Sequence, residues 1–373
     1  MKKKNTPSEL SHQTGALSAC LLILLIIAAC AVSGCVSGRE ASATPATAPP
    51  PSLSSPITPA LSATLPVTTT VTPQTPGTPL QRIIVTNADA AELLLAIGAG
   101  DQVVGISDTV KNHPVLGPRF AGKESIGSWQ TPNIETILSL HPDAVISYSS
   151  YTPKNTDQIT SAGIPLLLID CYKIDTLASD ARRLGNLTGR EDGAEAYISF
   201  LEQYESLVQS RTVDRTSGET NRVYIESYSD YSALTMGSGG DLLVTMAGGS
   251  NIAGMLPVSS PKVNAEWVAA QDPDVIVKVA AAGKNETELR EIRDKLVART
   301  GISDTRAVRN NKVYVMLGSV MYGPRSVVGL AYLAGILNPE GYRDIQPSAI
   351  QDEYAGRFVA GTNMTPVFYP QPG

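Results

Sequence analysis

TPNIETILSLHPDAVI, residues 131–146, and VNAEWVAAQDPDVIV, residues 263–277, follow one pattern. Each opens a short helical stretch, Asn133–Leu140 and Asn264–Ala270. Each is then broken by Pro-Asp and continues into a compact apolar run, Ala144–Ser147 and Val275–Val279. Glu135, Pro142, Asp143, Val145 and Ile146 correspond to Glu266, Pro273, Asp274, Ile276 and Val277 at identical spacing. Proline ends a helix because it lacks the N–H and clashes with the preceding turn. A short apolar run with little alternation suits a strand buried on both faces.

A second internal match lies upstream of each copy. Glu92-Leu93-Leu94, running to Val103 and Gly105, aligns without a gap on Asp241-Leu242-Leu243, running to Ile252 and Gly254. Two matches in the same order imply duplication. Outward from them, Ile83-Val85, Val103-Ile106 and Pro165-Ile169 read as strands, with helices over Asp89–Ile97 and Pro153–Ala162. Val223-Ile225 and Val313-Met316 are the further strands of the second half, with helices over Asp241–Ala247, Glu286–Arg299 and Ser326–Leu337. Strands joined by helical crossovers make parallel sheets covered on both faces. The expected fold is therefore α/β: two similar α/β lobes with mainly parallel sheets, at 82–189 and 214–362, followed by a tail at 363–373. Between the lobes, residues 190–213 carry Ala194, Tyr197, Leu201, Tyr204 and Val208 at helical spacing. One long helix of about 30 Å is expected there. It would be a stiff connection that resists large hinge closure.

The N-terminus reads as an address. Lys2, Lys3 and Lys4 precede an apolar run from Ala16 to Val32, which meets Ser33-Gly34-Cys35. A positive start, an apolar middle and a small-residue end make a secretory signal, here over 1–34. The alternative is an uncleaved anchor helix, and both place the body outside the cytoplasm. Residues 35–81 form a Ser/Thr/Pro-rich stalk, in which Val36–Leu80 holds ten of the chain's 26 prolines. Such a segment has too little bulky apolar material to fold and extends as a spacer.

Composition narrows function. The 373 residues are 42% hydrophobic and 17% charged, with a net charge of −6. An acidic balance argues against nucleic acid, which needs a basic stripe. Cys171 is the only cysteine after Cys35, so the body has no internal disulfide and no CxxC site. With three histidines in the chain, no multi-ligand metal site and no intrinsic cofactor are expected. Gly117–Lys123 nearly spells a phosphate loop, but Glu124 stands where the magnesium-binding Ser/Thr should be, and no strand precedes it. GxSxG and HExxH are absent. The chain reads as a binding protein and not an enzyme.

The order of signal, Cys35, stalk, lobe, helix and lobe resembles the substrate-binding lipoproteins of ABC importers for iron complexes and cobalamin. The resemblance rests on Thr131–Glu135 through Leu140–Ile146, Asn310-Asn-Lys-Val-Tyr314, Gly323-Pro324 and Leu337-Asn-Pro339, and spans about 82–359. It implies a monomer that is extracytoplasmic, lipid-anchored at Cys35 to the outer face of the cell membrane. It also implies a partner permease with its ATPase, and as ligand an iron or cobalt chelate: a ferric siderophore, haem or corrinoid. Glu135 and Glu266 match the family's permease-docking glutamates, although a carboxylate near a helix start is also favoured by the helix dipole. The competing reading is a surface sensor or adhesion module on the same scaffold.

The resemblance implies a ligand cleft between the lobes. In open parallel sheets, ligands sit beyond the carboxyl ends of the strands. Those ends carry Asn87, Ser107, Asp108, Tyr148, Tyr151 and Tyr172 in the first lobe and Tyr228, Tyr231 and Tyr322 in the second, with Trp129 in a nearby loop. Tyrosine combines apolar area with a hydroxyl and suits a large amphipathic chelate. Arg325, after Gly-Pro at a helix start, could pair with carboxylates of an anionic ligand, or equally make an ion pair. His113, in a loop after a strand, stays open as a ligand to the metal, whereas His141 at a helix–strand junction reads as structural.

Overall fold

Pro-Asp at each helix–strand junction anchors the strand that precedes the repeat. A computed structural model of the chain describes residues 77–213, 220–360 and 367–371. The expected leader, Cys35 and the stalk up to residue 76 lie outside those residues. Asp143 Oδ2 accepts from the backbone N–H of Gln81 and Arg82 at 2.7 and 2.8 Å. Asp274 Oδ2 accepts in the same way from Arg222 N at 2.9 Å. The helices before them, Ile134–Ser139 and Ala265–Gln271, are capped by Asn133 and Asn264. Each helix is left through a residue of positive φ, His141 and Asp272. His141 is thus a helix-exit residue, as its position suggested.

The first lobe contains β1 (Ile83–Val85), β2 (Val103–Ile106), β3 (Glu124–Ser125), β4 (Ala144–Ser147) and β5 (Leu166–Leu168). They lie in the order β3-β2-β1-β4-β5, all parallel. The second lobe contains β6 (Arg222–Glu226), β7 (Ser250–Asn251), β8 (Val275–Ala280), β9 (Val313–Leu317) and β10 (Phe368–Tyr369), in the order β10-β9-β8-β6-β7. Here β10 alone is antiparallel. So β1 between β2 and β4 has its counterpart in β6 between β7 and β8, which is the duplication read from sequence. The strands of both sheets are largely buried, β1, β4 and β8 completely.

Glu191–Val213 is one helix of 23 residues, about 34 Å long. Its apolar side packs on a preceding helix, Ile174–Thr188, and on the buried helix Ser326–Leu337. No helix among the described residues is long and apolar enough to cross a membrane.

Two elements differ from expectation. The tail supplies β10, whose Phe368 stacks on Tyr332 with ring centroids 4.7 Å apart. Pro347–Phe358 forms a helix that returns to the lobe junction. There Tyr354 and Phe358 join Tyr197 and Phe200 of the linking helix in a cluster of rings.

Candidate ligand cavity between the lobes

Strand ends from both sheets converge on a cavity of about 840 Å³. Its aromatic wall is Tyr148, Tyr151 and Tyr172 from the first lobe and Tyr228 and Tyr322 from the second. All five stand at the strand ends read from sequence. Tyr148 meets Tyr172 edge-on at 6.1 Å, and Tyr228 leans on Tyr322 at 6.4 Å. Tyr151 and Met236 are 67% and 65% exposed, so the mouth offers apolar surface.

The remaining expected residues take other places. Arg325 does not line the cavity; it is 1% exposed and closes a bidentate pair with Glu92, Nε–Oε1 2.7 Å and Nη2–Oε2 3.1 Å. An arginine at this depth needs a carboxylate to offset its lost hydration. Asn87 and Ser107 are buried helix caps, accepting from Ala90 N and Val110 N. Asp108 accepts from Ser125 Oγ at 2.6 Å. Tyr231 lies under the Arg299 guanidinium and donates to Thr300 O. Trp129 stands one ring behind the wall, edge-on to Tyr148 at 6.1 Å.

Sequence reasoning missed the floor. Asp89 and Glu92 lie one helical turn apart on the helix Ala88–Ala96 and both reach the cavity. Asp89 Oδ2 accepts from the Tyr148 hydroxyl at 2.9 Å. Burial pushes its carboxyl up to about 7, the Tyr148 hydrogen bond pulls it back, and Glu92 adds to the rise. Burial likewise drives the Tyr148 hydroxyl well above the ordinary tyrosine range, so it serves as a neutral donor. The Glu92 and Asp241 match was visible as an echo between repeats, but nothing local distinguished Asp89.

His113 reaches the cavity with one nitrogen committed. Its Nδ1 accepts from Val115 N and Leu116 N at 3.2 and 3.1 Å, which puts the proton of the neutral ring on Nε2. Burial lowers its pKa, favouring that neutral form. Coordination of a metal through Nε2 would require the proton to move to Nδ1 and both backbone bonds to break. The ring is built as a donor to the cavity.

A missed support also holds Tyr228. Lys278, in the middle of apolar β8, is buried and donates to the carbonyls of Ser227 and Tyr228 at 2.7 and 3.2 Å. Its charge is matched by Glu226 at 2.8 Å, which also pairs with Arg299.

The lobes touch around the cavity. Gly323 N donates to Tyr172 O at 3.0 Å, Tyr197 donates to Pro324 O at 3.0 Å, and Pro114 packs on Gly283. Gly323 has φ 76°, and a side chain there would run into Asp89 Oδ1. Two parallel-sheet lobes carried on one helix around an aromatic cavity define a bilobal ligand receptor. The profile of the periplasmic binding protein family matches residues 83–318, and the chain belongs to that family of extracytoplasmic binding proteins. It is a binding protein and not an enzyme. A vitamin B12-binding protein of Yersinia pestis is 28% identical over 206 residues, covering 54% of this chain and 70% of the relative. Among solved structures, a periplasmic heme binding protein from Pseudomonas aeruginosa is similar with a TM-score of 0.60 at 21% identity, over 78% of this chain and 97% of that one. The periplasmic vitamin B12 binding protein of Vibrio cholerae is similar with a TM-score of 0.57 at 22% identity, over 70% and 98%.

Proposed function

We propose that this protein captures a corrinoid or haem-type metal chelate outside the cytoplasm and delivers it to an ABC permease. The single observation that carries the reading is the chemistry of the cavity wall. Five tyrosines and Met236 offer flat apolar area with hydroxyls, and Lys173 is the only Lys or Arg among the described lining residues. Beside it stand Asp89 and Glu92, the latter already paired with Arg325. A large, flat ligand of small net charge suits that balance, because tyrosine faces cover its plane and hydroxyls reach its rim. A strongly anionic ferric siderophore would bring several negative charges to a site with one cation, so it fits less well. The vitamin B12-binding relative points the same way.

Cys35 is proposed as the lipid-bearing residue and the stalk as the spacer. Glu135 and Glu266, exposed in the first turns of equivalent helices, are proposed as the permease contacts. Tryptophan fluorescence of the purified body tests ligand capture, since Trp129 stands against the Tyr148 wall and Trp267 packs beside Tyr224 in the second lobe. Cyanocobalamin or haemin should quench saturably, and Trp129→Phe should remove most of the response. No saturable quenching by either would overturn the reading.

A further inference from the structure

Asp89 is the one lining carboxylate not neutralised by a described cation. Oδ2 is taken by Tyr148, whereas Oδ1 accepts no hydrogen bond from any described residue. That oxygen lies against Gly323, where a Cβ would come within 2.6 Å of it. The titratable and charged groups around it are Glu92 on its own helix, Tyr148 after β4, Asp170 and Cys171 after β5, Tyr228 and Tyr322 of the second lobe, and Arg325. Arg325 is committed to Glu92, so the pair leaves little net charge to hold Asp89 ionised.

We propose that Asp89 is the specificity-determining residue of the cavity: its unpartnered Oδ1 accepts an amide or ammonium N–H from the rim of the ligand, and admits a carboxylate in the same place only with a proton between the two. The assignment rests on the capture of a corrinoid or haem-type chelate proposed above. Out of bulk water, an ionised acceptor forms a stronger hydrogen bond to N–H than a neutral one. A ligand that brings N–H donors therefore expels the proton from Asp89. A ligand that brings carboxylates retains that proton, because two carboxylates at contact cannot both ionise. Binding is then linked to pH in opposite senses for the two kinds of rim.

The experiment is isothermal titration calorimetry of the wild-type protein at pH 6 and pH 8, in buffers of different ionisation enthalpy. The probes are cyanocobalamin, with amides on its rim, and haemin, with carboxylates. Cyanocobalamin should bind tighter at pH 8 by about fivefold if the complex lowers the Asp89 pKa by about one unit, and it should release protons. Haemin should show the opposite slope and take protons up. Asp89→Asn should flatten both slopes, with circular dichroism confirming its fold. Binding of either probe with no pH slope and no proton transfer overturns the role of Asp89 and leaves the capture reading standing. A slope that survives in Asp89→Asn also overturns it. Failure of both probes to bind at either pH overturns the capture reading and the Asp89 assignment together.

Discussion

Arg325 and Glu92 meet at 2.7 Å where the two lobes join, both side chains almost wholly buried. Tyr354 from the C-terminal helix donates to the same carboxylate at 3.0 Å. Three chain segments far apart in sequence thus share one desolvated charge pair. Removing one partner leaves the other buried and uncompensated, at a cost of about 3–5 kcal/mol. Glu92→Gln and Arg325→Met should each lower stability by that order in urea unfolding. The double variant should cost less than the sum of the two, because it leaves no orphan charge. Additive single effects would show that the pair is not coupled.

Asp89 makes stability fall as pH rises. Burial raises its folded pKa to about 7, above the ordinary aspartate value of 3.8. A group raised in this way stabilises fully below about 4, and the contribution is lost as pH climbs through 7. Asp89→Asn should therefore melt higher than wild type at pH 8, by about 2–4 °C for each kcal/mol relieved. The difference should vanish near pH 4. Burial pushes Glu205 of the linking helix up to about 7 as well, and its Oε1 has no partner. Glu205→Gln should show the same sign in thermal melts over the same window.

Tyr228 rests its hydroxyl directly over Gly318, where an added Cβ would overlap the oxygen. Gly318→Ala should displace the ring into the cavity and weaken ligand binding by about tenfold, equivalent to about 1.4 kcal/mol. Gly318→Ala combined with Tyr228→Phe should recover part of that loss, because the clashing oxygen is gone. Fluorescence titration of both variants reads the effect.

Glu135 and Glu266 carry exposed carboxylates at repeat-equivalent positions of the two lobes. Reversing both to lysine should abolish permease-dependent uptake in whole cells while ligand affinity stays within about twofold, since neither residue lines the cavity. Uptake at the wild-type rate would remove them from the docking surface. The effect of either single reversal should grow weaker at high salt, as expected for rim charges.

The duplication, the parallel strands and the linking helix were legible because their signals are local. Asn133-to-Ile146 and its copy hold cap, helix, breaker and strand in one short stretch. The tyrosines of the cavity were legible because strand ends in parallel sheets face one edge. Ile174–Thr188 was not read, although Ile174, Leu177, Ala181, Leu184 and Thr188 recur on one buried face. Its centre, Asp180-Ala-Arg-Arg183, interrupts the apolar pattern with charge. Pro347–Phe358 was missed because its buried side consists of Ile350, Gln351, Tyr354 and Phe358, a pattern with a polar member.

The amino-acid order alone determined the two lobes, the helix between them and the edge where a ligand would sit, since these follow from period, breakers and strand polarity. It left Arg325 between a ligand contact and an ion pair, because a lone arginine near a cleft fits both. Only the tertiary structure decided that, by bringing Glu92 from 233 residues away to meet it. The same packing gave Asp89 its burial and its Tyr148 partner, and so made an ordinary first-turn aspartate into the cavity's titrating group. Charge pairing and desolvation depend on what surrounds a side chain in space, and no spacing along the chain encodes that.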